Sequence, residues 1–202
     1  MYITDIHNWD NHSEIIDFIK SYNFGLLVSI KDLTPVATHL PFFIEEENKK
    51  LILYSHFSRA NTHWEQIESE KILVIFQGPH SYISPINYDS ELSVPTWNYI
   101  SVHLYGEIQL IHEKSEIEFI MNKQIQSMDI EYYEKWKNLP TEYKDKMFKG
   151  IMMFRILVEE IQGKKKLSQN KNQNEIERII DSLSKSNDSN EKAISRYMRE
   201  FK

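Results

Sequence analysis

The sequence contains no cysteine, which excludes disulfides, thiolate-bound metal centres and cysteine nucleophiles. It also lacks any apolar run near the roughly 20 residues that a membrane-spanning helix requires. Its first residues have neither the basic start nor the apolar stretch of a secretory signal. We therefore predict a cytoplasmic protein with no membrane partner. Redox chemistry on this chain would require a bound cofactor.

An excess of positive charge is lacking as well, since the net charge is −6. The charge is uneven, because residues 163–202 contain ten Lys/Arg and six Asp/Glu, which leaves −10 on residues 1–162. The acidic part disfavours general nucleic-acid binding. The basic tail is either a solvated helical face or a contact for an anionic ligand or nucleic acid. We predict a main domain over residues 1–165 and a basic helical extension over 166–202 that packs on it.

Hydrophobic periodicity predicts a mainly β protein with helical additions. Alternating apolar residues separated by short, turn-rich gaps indicate antiparallel strands, because such gaps are too short for helical crossovers. The predicted strands are 24–30, 36–44, 51–57, 71–77, 100–110 and 151–161. Gly106 lies on the apolar side of one strand and suggests a bend or bulge. About six such strands with inserted helices match a small antiparallel β-barrel.

Helical patterns lie between the strands and at the end of the chain. Two segments fit the capping box that begins a helix, Thr62 with Glu65 and Ser115 with Glu118. Other helices are predicted from Ser13, over 132–148 with a break at Pro140, and as two short C-terminal helices with apolar stripes (Ile176, Ile179, Ile180 and Leu183; Ile194, Tyr197, Met198 and Phe201). Residues 78–95 are rich in turn formers and predict a long loop, a kind of segment that is often functional.

Five segments, in order along the chain, resemble the PaiB family. They are residues 37–41 (ATHLP), 56–61 (HFSRAN), 76–85 (FQGPHSYISP), 94–99 (VPTWNY) and 166–171 (KLSQNK). The resemblance spans residues 1–170. That family is described as FMN-binding negative transcriptional regulators of bacteria, related in fold to pyridoxamine phosphate oxidase. It implies an FMN-binding split β-barrel, antiparallel and Greek-key-like, with C-terminal helices.

The residue types in one of these segments suit a flavin phosphate. Ser58, Arg59, Ala60 and Asn61 offer a hydroxyl, a guanidinium and an amide directly before the helix predicted at Thr62. The free amides of a helix N-terminus would add to the positive end of this site. A surface arginine beside an ordinary helix cap is the alternative interpretation. Lys166 is a second predicted contact of the phosphate.

The isoalloxazine ring requires a flat packing surface and hydrogen-bonding groups along one edge. By resemblance to split-barrel sites, the residues predicted to line that edge are Thr38, His39, Leu40, Ser55 and His56. Trp97 and Tyr99 offer stacking surface. Residues predicted to hydrogen-bond the ring or ribityl chain are Gln77, Gln169 and Asn170. Taken singly, each of these residues is also explained by a core, interface or surface position.

In split barrels the flavin lies between two subunits, so the resemblance implies a homodimer with flavin at the interface. DNA is a partner by resemblance only, because residues 185–190 lack the tight turn of a helix-turn-helix. Two functions remain open, a regulator that binds flavin and a flavin-dependent oxidoreductase acting on a small molecule. No catalytic residue is assigned. No metal site is predicted, because five histidines at positions 39, 56, 63, 80 and 103 lack metal-ligand spacing.

Overall fold

The structure is a computed structural model that describes residues 1–47 and 50–200. The strands in this part of the chain are β1 (Asn8–Trp9), β2 (Phe24–Lys31), β3 (Thr34–Pro41), β4 (Phe43–Glu47), β5 (Lys50–Ser58), β6 (Lys71–Ile83), β7 (Thr96–Ile111) and β8 (Ile151–Lys166). The α-helices are α1 (His12–Ser21), α2 (Lys114–Met128), α3 (Ile130–Lys137), α4 (Thr141–Lys149), α5 (Gln173–Ser184) and α6 (Ser189–Glu200). Short 3₁₀ helices cover Asp5–His7, Thr62–Gln66 and Pro85–Asn87.

The strands form one sheet in the order β3-β2-β6-β7-β8-β5-β4, and β1 pairs with β8. The hairpin of β2 and β3 is antiparallel, with Leu26 opposite His39. Strand β5 pairs antiparallel with β8, with His56 opposite Met153. Within the described residues no ladder joins the end strands β3 and β4, so the sheet is not closed. The prediction of a mainly β protein with helical additions is confirmed.

The chain forms two compact units. The terminal unit comprises Met1–Phe18, Phe76–His103 and Gln162–Lys202. The central unit comprises Ile19–Ile75 and Leu104–Ile161. Strands β6, β7 and β8 contribute residues to both units. The domain boundary predicted between residues 165 and 166 stays a prediction.

Two sets of buried side chains hold the central unit together. Phe42, Phe57 and Phe154 are at most 2% exposed, and the rings of Phe57 and Phe154 lie 4.9 Å apart between centroids. Helices α2 to α4 supply part of a second cluster. Its buried members are Ile52, Tyr54, Ile111, Ile117, Ile120, Trp136, Phe148 and Met153. Burial of this much apolar surface is the main term that stabilises the unit.

Gly106 permits a close approach of two strands in the central unit. A Cβ atom at this position would lie 2.2 Å from the carbonyl oxygen of Leu157, which is backbone and cannot swing aside. Any other residue would therefore force β7 and β8 apart. The sequence pattern suggests a bend at Gly106. The structure shows that glycine is required at this position because the two strands pack closely there.

The terminal unit combines β1, the last part of β8 and the two C-terminal helices. Asn172 caps α5 in a capping box with Glu175. Buried apolar residues of α5 and α6 include Ile179, Ile180, Leu183, Ile194 and Met198, as the predicted stripes require. Ile176 and Tyr197 are half-buried, and Phe201 lies outside the described residues.

Several predicted elements differ from the observed ones. The strand predicted over 36–44 is two strands separated at Phe42, because β3 pairs with β2 whereas β4 pairs with β5. Strand β6 continues through the segment 78–83, where buried Ser81 and Ile83 alternate with exposed Tyr82. The Gly-Pro pair at its start is typical of a turn, but alternating burial of the following side chains outweighs that signal.

Both predicted capping boxes are wrong. The segment from Thr62 is a 3₁₀ helix of five residues, and its cap is Asn61, whose side chain accepts a hydrogen bond from the amide of His63 at 3.0 Å. Helix α2 begins after Glu113, which makes no side-chain cap. Among the described helices, none combines the length and apolar character needed to cross a bilayer.

Candidate functional site

A polar cavity in the central unit surrounds the imidazole of His63. The cavity has a volume of about 380 Å³. His63 is 7% exposed, and both of its ring nitrogens are hydrogen-bonded. Nε2 lies 2.7 Å from the Ser29 hydroxyl, and Nδ1 lies 2.8 Å from the Thr38 hydroxyl. The Asn61 amide donates to the same Thr38 oxygen at 3.4 Å, so four side chains form one network.

The burial of His63 determines its protonation state. Burial lowers its pKa below the ordinary value, so the ring is neutral at pH 7. A neutral imidazole donates from one nitrogen and accepts at the other. One hydroxyl therefore donates to His63 while the other accepts from it, and both hydroxyls are held in place. Residues that complete the lining are Ile30, Lys31, Val36, Ala37, Thr62 and Gln66.

Arg59 lines a different cavity, of about 290 Å³, also in the central unit. Its backbone amide donates to Gly150 at 2.9 Å and its Nε donates to the carbonyl of Lys149 at 3.1 Å. Its guanidinium also lies 5.8 Å from the centre of the Trp64 ring. His112, Lys114 and Lys149 contribute to the same cavity. Its one carboxylate, Asp145, lies 2.7 Å from Lys114, so the lining carries net positive charge and suits an anion.

The other predicted residues of the central unit occupy varied positions. Leu40 is 8% exposed in the core, and the Ser55 hydroxyl donates to the carbonyl of Pro41 at 2.7 Å. His39 is exposed and stacks on Phe24. His56 is half-buried, burial lowers its pKa, and its buried Nδ1 has no hydrogen-bond partner in the described structure. Ser58 and Ala60 are exposed.

The remaining predicted residues belong to the terminal unit. Trp97 is 53% exposed and forms an aromatic group with His80 and Tyr82. The ring of Tyr99 lies 5.2 Å from Nζ of Lys164. Three side chains donate hydrogen bonds inside the unit. Lys166 donates to the Thr96 hydroxyl, Gln169 to the carbonyl of Lys165, and Gln77 to the carbonyl of Gly78. Asn170 is exposed.

The central unit thus places Thr38 and Asn61 in one cavity and Arg59 in another. The assignment of the predicted residues to a flavin stays a prediction. Sequence reasoning missed His63 and Ser29, which connect the polar network. The signal available for His63 was its position two residues after Asn61, which caps the 3₁₀ helix and turns the imidazole inward. Among the described residues, no three metal-binding side chains come together.

The geometry of the polar cavity fits a flavin in volume and chemistry. Ligand cavities are commonly a few hundred Å³ with a small number of placed polar groups. The hydroxyl of Thr38 and the amide of Asn61 match the donors and acceptors along a flavin edge. His56, whose buried Nδ1 has no hydrogen-bond partner in the described structure, is not among the residues that line this cavity.

Comparison with known proteins identifies the family. Residues 1–160 match the family described as "Putative FMN-binding domain". The Bacillus subtilis protein named Protease synthase and sporulation protein PAI 2 is 36% identical over 208 residues, which cover 99% of this chain and 97% of that protein. Because the match is nearly complete, the resemblance predicted from the five segments is confirmed.

Two solved structures share the fold. The flavocytochrome Anf3 from Azotobacter vinelandii has a TM-score of 0.63 at 15% identity, covering 81% of this chain and 72% of its own. The FAD and heme binding protein from Mycobacterium smegmatis has a TM-score of 0.59 at 12% identity, and the match covers 79% of this chain and 73% of that protein. At such low identity they establish the fold alone. The chain therefore belongs to the FMN-binding domain family and is a flavin-binding split-barrel protein of the PaiB type.

Proposed function

We propose that this protein binds FMN as a homodimer and acts as a regulator of transcription. The observation that carries the flavin part is the cavity around His63, whose hydroxyl and amide groups are held by hydrogen bonds before any ligand enters. Such preorganisation lowers the ordering cost of binding. FMN rather than another flavin is supported by the family match and by the separate cationic cavity at Arg59, which suits a terminal phosphate.

Within this proposal, Thr38 and Asn61 hold the ring edge and Arg59 holds the phosphate. The bound flavin would supply a planar group that accepts or donates electrons. The protein's own residues bind and orient that group. Titration of FMN with the purified protein, followed by flavin fluorescence, tests the assignment. Flavin fluorescence and absorbance that stay unchanged at saturating protein concentration would reject it.

The homodimer is supported by an uncovered apolar face of the sheet in the central unit. Alternate residues of β2 on this face are all apolar, namely Phe24, Leu26, Val28 and Ile30. Phe24 and Ile30 are 64% and 72% exposed. Leu26 lies between His39 of β3 and Ile75 of β6, and Val28 lies between Ala37 and Leu73. A contiguous apolar face of this kind marks an interaction site, and twofold pairing of two copies would cover it on both.

Leu26→Glu is expected to convert the dimer into monomers, because it places a charge at the centre of this face without changing the covered side of the sheet. Sedimentation velocity measures the change. Ile130→Glu is the control, since Ile130 is an exposed apolar residue of α3, 57% exposed, and is not part of the β2 face. If FMN contacts both subunits, FMN affinity falls together with the dimer. A Leu26→Glu protein that remains a dimer would reject this interface.

The regulatory part of the proposal is supported by the relative named for protease synthesis and sporulation. A surface feature of α6 adds to it. Lys192, Arg196 and Arg199 are exposed at helical spacing on one side of α6, and none of their side chains has a partner among the described residues. Unpaired cations in a row are the electrostatic footprint of a phosphate backbone contact.

Replacing Lys192, Arg196 and Arg199 together by glutamine is expected to weaken binding to duplex DNA. Each neutralised phosphate contributes about one to the slope of log affinity against log salt, so the slope should fall by about three. Fluorescence anisotropy at several salt concentrations measures it. Lys185→Gln serves as the control, because Lys185 already pairs with Asp181 at 2.6 Å. An unchanged salt slope in the triple variant would remove α6 as the DNA contact.

A further inference from the structure

A buried lysine in the terminal unit has no carboxylate partner. Lys164 is 6% exposed. Its Nζ donates to the carbonyl of Tyr2 at 2.9 Å and lies 5.5 and 5.2 Å from the ring centres of Tyr2 and Tyr99. An ammonium group has three N–H donors, and only one of them is used here. No carboxylate of residues 1–47 or 50–200 pairs with it.

The neighbouring lysine on the same strand is paired. Lys165 lies 2.6 Å from Glu14 and 4.1 Å from the centre of the Trp9 ring. Successive residues of a strand point to opposite faces, so Lys165 and Lys164 have different surroundings. An unpaired buried charge is costly, and contacts with aromatic rings offset only part of that cost. The unpaired state of Lys164 therefore calls for a partner that the chain does not supply.

A second lysine and a histidine lie beside Lys164. Lys166 projects from the same face of β8, donates to the Thr96 hydroxyl and has no carboxylate partner in the described residues. His7 directly precedes Asn8, which lies opposite Lys164 in the pairing of β1 with β8, and its Nδ1 lies 2.7 Å from the Thr4 hydroxyl. Burial lowers the pKa of His7, and the charges of Lys164 and then Lys166 lower it further. Both lysine charges therefore act at this imidazole.

We propose that His7, Lys164 and Lys166 form a binding site for a small oxyanion, a phosphate or carboxylate group, beside the ring of Tyr99. Two lysines and an imidazole would give the anion up to three charge-assisted or neutral hydrogen bonds. When the Thr4 hydroxyl donates to Nδ1, Nε2 of His7 carries the ring proton and faces the anion as a donor. Tyr2 covers Lys164 and is 80% exposed, so moving its side chain aside costs little buried surface.

Inorganic phosphate is the probe for this site. All variants carry Arg59→Ala, so that the cationic cavity of the central unit does not contribute. Phosphate is titrated at constant ionic strength while the thermal midpoint is followed. We expect Lys164→Met to weaken phosphate binding by about 10- to 100-fold, the usual effect of losing a charge-assisted hydrogen bond. Lys165→Met is the matched control and should keep the phosphate response of the Arg59→Ala parent.

If Lys164→Met does not fold, Lys166→Met tests the same prediction, because Lys166 is only half-buried and its replacement disturbs the core less. A phosphate response that is the same in the Arg59→Ala parent and in its Lys164→Met and Lys166→Met derivatives would overturn the site. FMN and riboflavin distinguish the source of the anion. A loss of FMN affinity with unchanged riboflavin affinity in Lys164→Met identifies it as the flavin phosphate. Unchanged affinity for both flavins, with phosphate binding lost, identifies a separate anionic ligand, and this result holds even if the flavin assignment fails.

Discussion

Arg59→Ala is expected to weaken FMN binding about 10- to 100-fold and to leave riboflavin binding unchanged. The guanidinium has five N–H donors, and one of them, on Nε, is used by the carbonyl of Lys149. The terminal nitrogens are therefore available to a phosphate in the cavity that Lys114 and Lys149 also line. Riboflavin has the same ring and ribityl chain but no phosphate. The difference between the two titrations isolates the phosphate contact.

Lys71→Ala is the matched control for this loss of charge. Lys71 is an exposed cation of the central unit that pairs with Glu159 at 3.0 Å, outside both cavities. The Lys71→Ala protein should bind FMN and riboflavin with wild-type affinity. Equal weakening of FMN and riboflavin by Arg59→Ala would mean that the residue acts on the fold, through its contacts with the Lys149–Gly150 segment and Trp64, and not on the phosphate.

His63→Leu is expected to lower the free energy of unfolding by about 1–3 kcal/mol and to weaken FMN and riboflavin equally. The substitution removes the shared partner of the Ser29 and Thr38 hydroxyls, and an unsatisfied buried polar group costs free energy on this scale. Both flavins should respond because Thr38 is predicted to contact the ring. Denaturant unfolding and flavin titration measure the two effects.

The pH dependence of stability should change in the same variant. Burial lowers the pKa of His63 below 6.5, so the unfolded chain takes up a proton at higher pH than the folded protein does. The free energy of unfolding therefore declines as the pH falls below about 6.5, and it continues to decline until the pH has passed the lower pKa of the folded state. His63→Leu removes this contribution. Burial also lowers the pKa of His7, His56 and His103, so a shallower decline remains.

An exposed histidine provides the control for both effects. His80→Leu changes an exposed residue whose ring centroid lies 6.1 Å from that of Trp97. It should leave the unfolding free energy at neutral pH and the slope below pH 6.5 close to those of wild type. A His63→Leu protein with wild-type stability and slope would contradict the network. A loss of FMN affinity without loss of riboflavin affinity would place the phosphate, and not the ring, next to His63.

The elements of this protein follow from local patterns in its sequence. The alternation along β7 and the stripes of α5 and α6 predicted those elements, because the side-chain period of a strand or helix is a local property. Five short segments in order were enough to predict the family. The same local rules failed at Phe42, where one apolar run changes pairing partner, and at the Gly-Pro pair inside β6.

The tertiary structure alone decided which polar groups meet. Ser29, Thr38 and His63 lie on different elements, and only the pairing of β2 with β3 and the turn after Asn61 bring their hydroxyls to one imidazole. The sequence likewise shows three consecutive lysines at 164–166 without indicating that one finds Glu14 and another stays unpaired. Local patterns determine which face of an element is buried. Contacts between elements distant in sequence determine whether a buried charge or hydroxyl has a partner.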